Sequence, residues 1–221
     1  AAVPPERLGE YLRGFESLLD EHDLHGTLFG HFGDGCVHVR IDFPIDEPGG
    51  RDGFRSFLTD AATLAASHGG SFSGEHGDGR ARSELLPLMY SPEAIALFEQ
   101  VKHVFDPDDL LNPGVLVRPR PLDADLRTQG AGWPAGLPAT RKGLKLLHDD
   151  GDFGAAVHRC TGVGKCLAAP AAGVMCPSFQ ATRNEKDSTR GRSRVLQEMV
   201  DGRSVNRGWS SPEVHEALDL C

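Results

Sequence analysis

Residues 118–142 constrain the fold most, because their composition predicts a connection between two folded units. Pro, Gly, Arg and Ala dominate this stretch, and no apolar positions recur in it, a pattern typical of a linker between domains. We therefore expect two folded units, residues 1–118 and 145–221, joined by a linker at 119–144. A chain of 221 residues with 39% hydrophobic residues can bury one good core and a smaller second one.

The first unit alternates between helical and strand patterns. Apolar residues recur at helical spacing in three segments, with Pro92 following Ser91 at the start of the third: Pro4 to Leu24, Asp52 to His68, and Ser91 to Phe105. Gly26 to Phe32 and Cys36 to Phe43 are predicted as the strands of a hairpin around Gly33-Asp34-Gly35. Gly70 to Gly79 is a short segment with a second glycine-bounded turn, where we expect a further short strand. This order predicts an α+β fold, a mainly antiparallel sheet with helices on one face.

Two segments of this unit share a sequence motif, a histidine next to Gly-Asp-Gly. One runs from Gly30 to His38 and the other from Gly74 to Gly79. On one straight strand, His31 and His38 would point to opposite faces, but a hairpin turn can bring both imidazoles to one point. Each histidine alone could simply cap a turn, whereas the repeated motif favours a metal-binding site. Two imidazoles and the Glu75 carboxylate are a ligand set for zinc or manganese, and His76 stays available as a base.

These segments, with Val104-Phe105-Asp106-Pro107 and Leu111-Asn112-Pro113-Gly114, closely resemble the C-terminal substrate domain of the flavin-linked oxidases. That family includes D-lactate dehydrogenase, the glycolate oxidase flavin subunit and D-2-hydroxyglutarate dehydrogenase. The resemblance covers about residues 6 to 118. One departure is Cys36, which stands where the family usually has Asn; as a lone cysteine in a strand, it is expected to be a small core residue.

The resemblance implies roles for individual residues. His31, His38 and Glu75 would bind a divalent metal that holds the substrate carboxylate and hydroxyl, and His76 would be the catalytic base. Asn112 would lie near the flavin. The family needs an N-terminal FAD-binding domain, and no glycine-rich flavin fingerprint precedes residue 26. We therefore expect this chain to be an internal piece of a longer enzyme and to be inactive alone.

The second unit carries four of the five cysteines. Cys160 and Cys166 match the first and third positions of the ferredoxin motif C-x2-C-x2-C-x3-C-P, with Val163 at the second. The stretch from Cys160 to Arg194 resembles the 4Fe-4S ferredoxin-type domain fused behind such flavin dehydrogenases. By that resemblance Cys160 and Cys166 would serve one cluster, and Cys176 and Cys221 another.

Alternative roles for these cysteines are less favoured. Zinc is the competing ligand, although the x5 and x9 spacings suit structural zinc knuckles poorly. Cysteines grouped in this way fit ligation in a reducing compartment better than disulfides. Because further ligands would lie downstream of Cys221, we expect neither cluster to assemble in this chain alone. Two helices are predicted here, Ser188 to Val200 and Ser211 to Leu220.

Charge and hydropathy exclude some partners. A net charge of -9 argues against a nucleic-acid partner, which would require clustered Lys and Arg. The basic run Arg183 to Arg194 is the local exception, either a solvated helix start or a docking patch for a redox partner. No stretch approaches the roughly 18 consecutive apolar residues of a transmembrane helix. We expect a location in the cytoplasm, either free or peripherally bound to the inner face of the membrane.

Together these features predict part of an oxidoreductase that converts a D-2-hydroxy acid to a 2-oxo acid. Electrons would pass from FAD through iron-sulfur clusters to an acceptor protein or a quinone. A metal-dependent hydrolase could use the same ligands to activate water, but it gives no reason for the cysteines. A non-catalytic electron-transfer adaptor, with structural histidines, is the third hypothesis, and metal content separates it from the other two.

Overall fold

Two compact units make up the chain, Ala1–Leu126 and Arg127–Cys221. The computed structural model describes residues 1–124, 126, 146–168, 175–202 and 204–220. The predicted linker, 119–144, lies mostly outside the described residues. Of its first residues, Leu122 is buried against Ala62 and Leu85, so the packing of the first unit continues past residue 118. The domain boundaries predicted from the sequence remain predictions.

The first unit has an α+β architecture, as predicted. Its helices are α1 (Leu8–Glu21), α2 (Gly50–Ser67), α3 (Gly79–Arg82) and α4 (Pro92–Phe105), and its strands are β1 (Gly26–His31) and β2 (Cys36–Ile41). Short 3-10 turns cover Pro5–Arg7, Phe32–Asp34 and Ser83–Leu88. The Ser91 hydroxyl accepts a hydrogen bond from the Ala94 N–H, which confirms the predicted start of α4.

The core of this unit lies between one face of the hairpin and the two long helices. Tyr11 and Phe15 of α1 and Phe57 of α2 are buried together with Val37 of β2. Val39 packs against the same cluster, because residues two apart on a strand share a face. Helices therefore cover one face of the hairpin, and the side chains of the other face are left for a site.

The sheet is smaller than predicted. In the described part of the chain, β1 and β2 form a two-stranded antiparallel sheet, and no third strand pairs with either of them. The expected strand in Gly70 to Gly79 is only an isolated bridge between Ser71 and Ala2. Gly74, Gly77 and Gly79 all have positive φ in this segment. Three left-handed residues within six positions interrupt an extended backbone, so the segment folds as a loop.

The regular structure in the described residues of the second unit is helical. Its helices are α5 (Phe153–His158), α6 (Pro177–Thr182), α7 (Thr189–Asp201) and α8 (Pro212–Leu218), with 3-10 turns at Leu147–Asp149, Lys165–Leu167, Glu185–Asp187 and Gly208–Ser210. α7 and α8 confirm the two helices predicted from the sequence, and Ser188 caps α7 through the Gly191 N–H. Val157, Met199 and Val214 form its small core. No helix in the part of the chain that the structure describes could span a membrane.

Candidate metal and substrate site

The hairpin places its two histidines on the same face. Phe29 pairs with His38 and His31 pairs with Cys36 across the antiparallel strands. Because His31 lies two residues from Phe29, it shares the face of Phe29 and is a diagonal neighbour of His38. The hairpin therefore brings the imidazoles of His31 and His38 together, as predicted, with their ring centroids 6.1 Å apart.

The turn between the strands explains this register. It comprises a 3-10 turn over Phe32–Asp34 followed by Gly35, and the Gly35 N–H donates to the Phe32 carbonyl at 3.0 Å. Gly35 has a φ of 70°, which L-residues with a side chain rarely adopt. Cys36, at the start of β2, is buried, as expected of a small core residue.

The loop after α2 brings in the carboxylate. The Ser73 hydroxyl donates to the Asp78 carboxylate, and the His76 N–H donates to the Ser73 carbonyl at 3.1 Å. Together with the positive φ of Gly74 and Gly77, these bonds form a tight loop that presents Glu75 and His76 to the exposed face of the hairpin.

One oxygen of Glu75 lies at the centre of the site. Glu75 Oε1 is 3.0 Å from Nε2 of His38 and 3.7 Å from Nε2 of His31. Nε2 of His76 is also 3.7 Å from the same oxygen. The side chain of His38 is 18% exposed, whereas those of His31 and Glu75 are 61% and 48% exposed. The site is therefore anchored at His38 and open on its other side.

The donor geometry fits a divalent cation. One donor atom from each of His31, His38 and Glu75 lies within 4.8 Å of the other two. The ligands of a tetrahedral zinc lie about 3.4 Å from one another, a separation between the 3.0 Å from Glu75 Oε1 to His38 Nε2 and the 4.8 Å limit of the group. Two imidazoles and one carboxylate suit zinc or manganese in an open site.

His76 lies beside this group and stacks on the ring of His38, with centroids 4.8 Å apart and planes inclined by 30°. On the other side, Phe29 stacks on His38 at 5.3 Å, and the guanidinium carbon of Arg40 lies 5.5 Å from the centroid of Phe29. The four planar groups form one continuous stack, His76, His38, Phe29 and Arg40. Sequence reasoning missed Phe29 and Arg40, although two-residue periodicity around His31 and His38 places them on the same face.

A cavity of about 470 Å³ opens beside the stack, and His38, His76 and Phe29 contribute to its lining. The rest of the lining is mainly apolar, including Phe72 and Leu85. A cavity of this kind, with a few polar groups converging on one side, is the usual form of a small-molecule site.

Asn112 lies in a turn that α4 holds in place. Lys102 forms an ion pair with Asp106, and the Asp106 carboxylate accepts hydrogen bonds from the N–H groups of Leu110 and Leu111 at 2.9 and 2.8 Å. Asn112 itself is exposed, has a φ of 49°, and accepts a hydrogen bond from the Val115 N–H. Its expected position near a flavin stays a prediction.

The cysteines of the second unit differ in their surroundings. Cys160 is exposed, whereas Cys166 and Cys176 are buried. Within the described ranges these three do not converge into one ligand group, and Cys221 lies outside the described residues. Cys176 Sγ lies 3.5 Å from the Ser178 hydroxyl and 3.8 Å from the Arg192 guanidinium. The Ser178 hydrogen bond lowers the pKa of the Cys176 thiol to about 6, against the opposing effect of burial.

Comparison with known proteins identifies relatives of both units. The D-2-hydroxyglutarate dehydrogenase of Escherichia coli (strain K12) is 34% identical over 205 residues, which are 90% of this chain and 19% of that protein. A match of this length extends into the second unit. The D-lactate dehydrogenase of Archaeoglobus fulgidus is 38% identical over 118 residues, and the glycolate oxidase subunit GlcD of E. coli (strain K12) is 37% identical over 112 residues. These cover 53% and 51% of this chain, and 26% and 22% of the two relatives.

The chain thus spans about a fifth of the length of the D-2-hydroxyglutarate dehydrogenases that it matches. Residues 1–116 match the family described as FAD linked oxidases, C-terminal domain. That range contains the whole hairpin and the loop with Glu75 and His76. The first unit, with its histidine and glutamate site, therefore belongs to the C-terminal domain family of the FAD linked oxidases.

Proposed function

We propose that this chain supplies the metal-assisted substrate site of a FAD-dependent dehydrogenase that oxidises a D-2-hydroxy acid to a 2-oxo acid. The observation that carries this proposal is the convergence of His31, His38 and Glu75 within 4.8 Å on an exposed face. The dehydrogenases and the glycolate oxidase subunit that resemble the chain support the substrate class.

His31, His38 and Glu75 would hold a divalent cation between the hairpin and the Gly74 to Gly79 loop. A bound cation supplies Lewis acidity, which lowers the pKa of a coordinated hydroxyl and fixes the adjacent carboxylate. His38 is the least exposed of the three and keeps its ring fixed between Phe29 and His76. The residues of this chain thereby orient the substrate.

His76 is proposed to receive the hydroxyl proton. Its Nε2 lies 3.7 Å from Glu75 Oε1, so a hydroxyl bound at the metal group would lie close to a candidate general base. The lining of the cavity beside His76 is mainly apolar, which suits the carbon skeleton of a small organic acid. FAD is the chemical acceptor for the hydride from the carbon that bears the hydroxyl, and Asn112 is proposed to lie near FAD.

In the second unit, Cys160, Cys166, Cys176 and Cys221 are proposed as ligands of 4Fe-4S clusters that pass electrons to an acceptor protein or a quinone. A low thiol pKa favours the thiolate that cluster ligation requires, and Cys176 has one. Replacing Cys176 with Ser should reduce the iron and acid-labile sulfide content of the intact enzyme, whereas Cys36→Ser should not. Equal iron content in both variants would refute this role for Cys176.

The metal site is tested by elemental analysis of protein purified without affinity metal. We expect about one equivalent of zinc or manganese, lost in His31→Ala and Glu75→Ala. His25→Ala is the matched control, because His25 is an exposed histidine just before β1. Oxidation of D-2-hydroxy acids by the flavin-loaded enzyme should then fall in the first two variants and not in the control. Equal metal content in all four proteins would overturn the proposal.

A further inference from the structure

We propose that Arg192 is the buried counter-charge of the iron-sulfur cluster that Cys176 would ligate, and that it raises the reduction potential of this cluster. The inference rests on the proposed function, which supplies the cluster and the electrons from the reduced flavin. It gives a role in electron transfer to a residue that binds no metal.

Arg192 is a buried arginine near the start of α7. It is only 8% exposed, and an arginine is seldom buried to this extent without an anionic partner. Its Nε donates to the Ala217 carbonyl at 2.8 Å, and one terminal nitrogen donates to the Ser178 hydroxyl at 2.9 Å. Both acceptors are uncharged, so they satisfy N–H groups of the guanidinium without balancing its charge.

Carboxylates do not supply the balance in the part of the chain that the structure describes. The neighbouring arginines of α7 are paired, Arg190 with Glu185 and Arg194 with Glu198. No acidic side chain of the described residues forms an ion pair with Arg192, whose hydrogen bonds go to a carbonyl, a hydroxyl and a sulfur. The sulfur is therefore the one of these three partners that can carry a negative charge.

That sulfur is Cys176 Sγ, which lies 3.8 Å from a terminal nitrogen of Arg192. The hydroxyl of Ser178 lies 3.5 Å from Sγ and the carbonyl of Asp187 lies 3.4 Å from it, and both are uncharged. A neutral thiol can donate to the Asp187 carbonyl. Cluster ligation requires the thiolate instead, and a guanidinium at this distance stabilises the negative charge.

The same guanidinium joins the two segments that carry the proposed ligands of this cluster. Ser178 follows Cys176 by two residues, and Ala217, in α8, precedes Cys221 by four residues in the sequence. Arg192 contacts both Ser178 and Ala217. The donor chemistry at Cys176 and the buried positive charge beside it therefore fit an anionic iron-sulfur cluster.

A buried cation at this position affects the reduction potential in a defined direction. One electron from the reduced flavin adds one negative charge to the cluster, so the attraction of Arg192 is stronger for the reduced form than for the oxidised form. Burial keeps salt and water from screening this attraction. Charge near the cluster and hydrogen bonds to its sulfurs are established determinants of cluster potentials. Arg192 should therefore favour uptake of the electron.

The experiment is a potentiometric titration of the intact enzyme, followed by electron paramagnetic resonance of the reduced clusters. The signal that is lost or altered in Cys176→Ser identifies the cluster concerned. Arg192→Gln removes the charge but keeps an N–H donor, and Arg192→Lys keeps the charge. Arg194→Gln is the matched control, because Arg194 lies on the same helix, is 43% exposed and is paired with Glu198.

Arg192→Gln should lower the equilibrium constant for one-electron reduction by about tenfold or more, which is a shift of about 59 mV to more negative potential. Arg192→Lys should keep most of the wild-type potential, and Arg194→Gln should not change it. An unchanged potential in Arg192→Gln would overturn the assignment, as would equal shifts in Arg192→Gln and Arg194→Gln.

Iron and acid-labile sulfide, measured on the same samples, separate the remaining cases. If Arg192→Gln holds no iron, Arg192→Lys decides: wild-type iron content and potential would support the role of the charge, and any other result would assign Arg192 to packing alone. Full iron content and unchanged signals in Cys176→Ser would overturn the proposed ligand role of Cys176, and the role of Arg192 with it.

Discussion

The ring of His76 stacks on that of His38, with centroids 4.8 Å apart, while both Nε2 atoms approach the same oxygen of Glu75. Stacking fixes the orientation of the His76 ring relative to the group that would hold the metal. The position of His76, the proposed base, is therefore set by stacking on His38, a proposed metal ligand. Changes at His76 should act on the chemistry, whereas changes at Glu75 should act on the metal and the base together.

His76→Asn should separate these two functions. Zinc stoichiometry should stay near one equivalent, because the three ligands remain, whereas kcat of the flavin-loaded enzyme should fall by about 10²- to 10⁴-fold, the usual contribution of a general base. Elemental analysis and steady-state kinetics on the same preparation measure both quantities. Loss of zinc in His76→Asn would instead make His76 a ligand.

Much of the site could be predicted from the sequence, because it depends on local patterns. The strand patterns on either side of Gly33-Asp34-Gly35 predicted the hairpin, and the structure brings His31 and His38 to the same face. The stacking of Phe29 and Arg40 depends on the cross-strand register and on the side-chain conformations, which two-residue periodicity alone does not determine. The third strand was predicted wrongly, because the glycines at 74, 77 and 79 adopt positive φ and a sequence pattern does not reveal this.

Asp106 should stabilise the protein in a pH-dependent way. The ion pair with Lys102 and the hydrogen bond from the Leu111 N–H lower the pKa of Asp106 from 3.8 to about 2. A folded-state pKa below the unfolded value gives stability that is present above about pH 3.8 and lost as the pH falls toward about 2. The melting temperature of Asp106→Asn should therefore lie below that of the wild type at neutral pH, and the difference should shrink through this window.

Asp108→Asn is the matched control, since Asp108 is exposed and lies two residues away. Its melting temperature should follow that of the wild type at every pH. A difference between Asp106→Asn and the wild type that stays constant from neutral pH to about pH 2 would show that the lowered pKa of Asp106 does not contribute to stability.

Glu84 joins three parts of the first unit. Its carboxylate accepts hydrogen bonds from Arg55 of α2 at 2.8 and 3.1 Å and from the Leu122 N–H at 2.6 Å. Glu84→Gln keeps the shape but removes the charge, so the free energy of unfolding should fall by about 1–2 kcal/mol in a urea titration. Glu16→Gln, on the exposed side of α1, should change it by less than about 0.5 kcal/mol. Equal values for the two variants would contradict this role.

Ser178 should control the ionisation of Cys176. Its hydroxyl is the main cause of the lowered thiol pKa of about 6, so Ser178→Ala should raise that pKa and reduce the thiolate fraction at neutral pH. The ultraviolet absorbance of the thiolate, followed against pH in metal-free protein, measures the change. Cys176→Ser should remove the same titration step. If the step persists in Cys176→Ser, it belongs to another cysteine.

The hairpin turn offers a test of how the metal site is built, because two glycines in it differ in what they tolerate. Gly35 has a φ of 70°, and a Cβ there would lie 1.9 Å from the Val3 carbonyl oxygen, whereas a Cβ on Gly33 would meet nothing within 4 Å. Gly35→Ala should cost at least roughly 1–3 kcal/mol of stability from the left-handed backbone alone. Gly33→Ala should cost less than about 0.5 kcal/mol.

Zinc affinity should also fall more in Gly35→Ala than in Gly33→Ala. The register set by the turn places His31 diagonally from His38, so a turn distorted by Gly35→Ala should separate the two imidazoles and weaken zinc binding about tenfold or more, as loss of ligand positioning does elsewhere. Gly33→Ala should bind zinc as the wild type does. If both variants keep full zinc affinity while Gly35→Ala is destabilised, the loop with Glu75, and not the turn, determines the metal geometry.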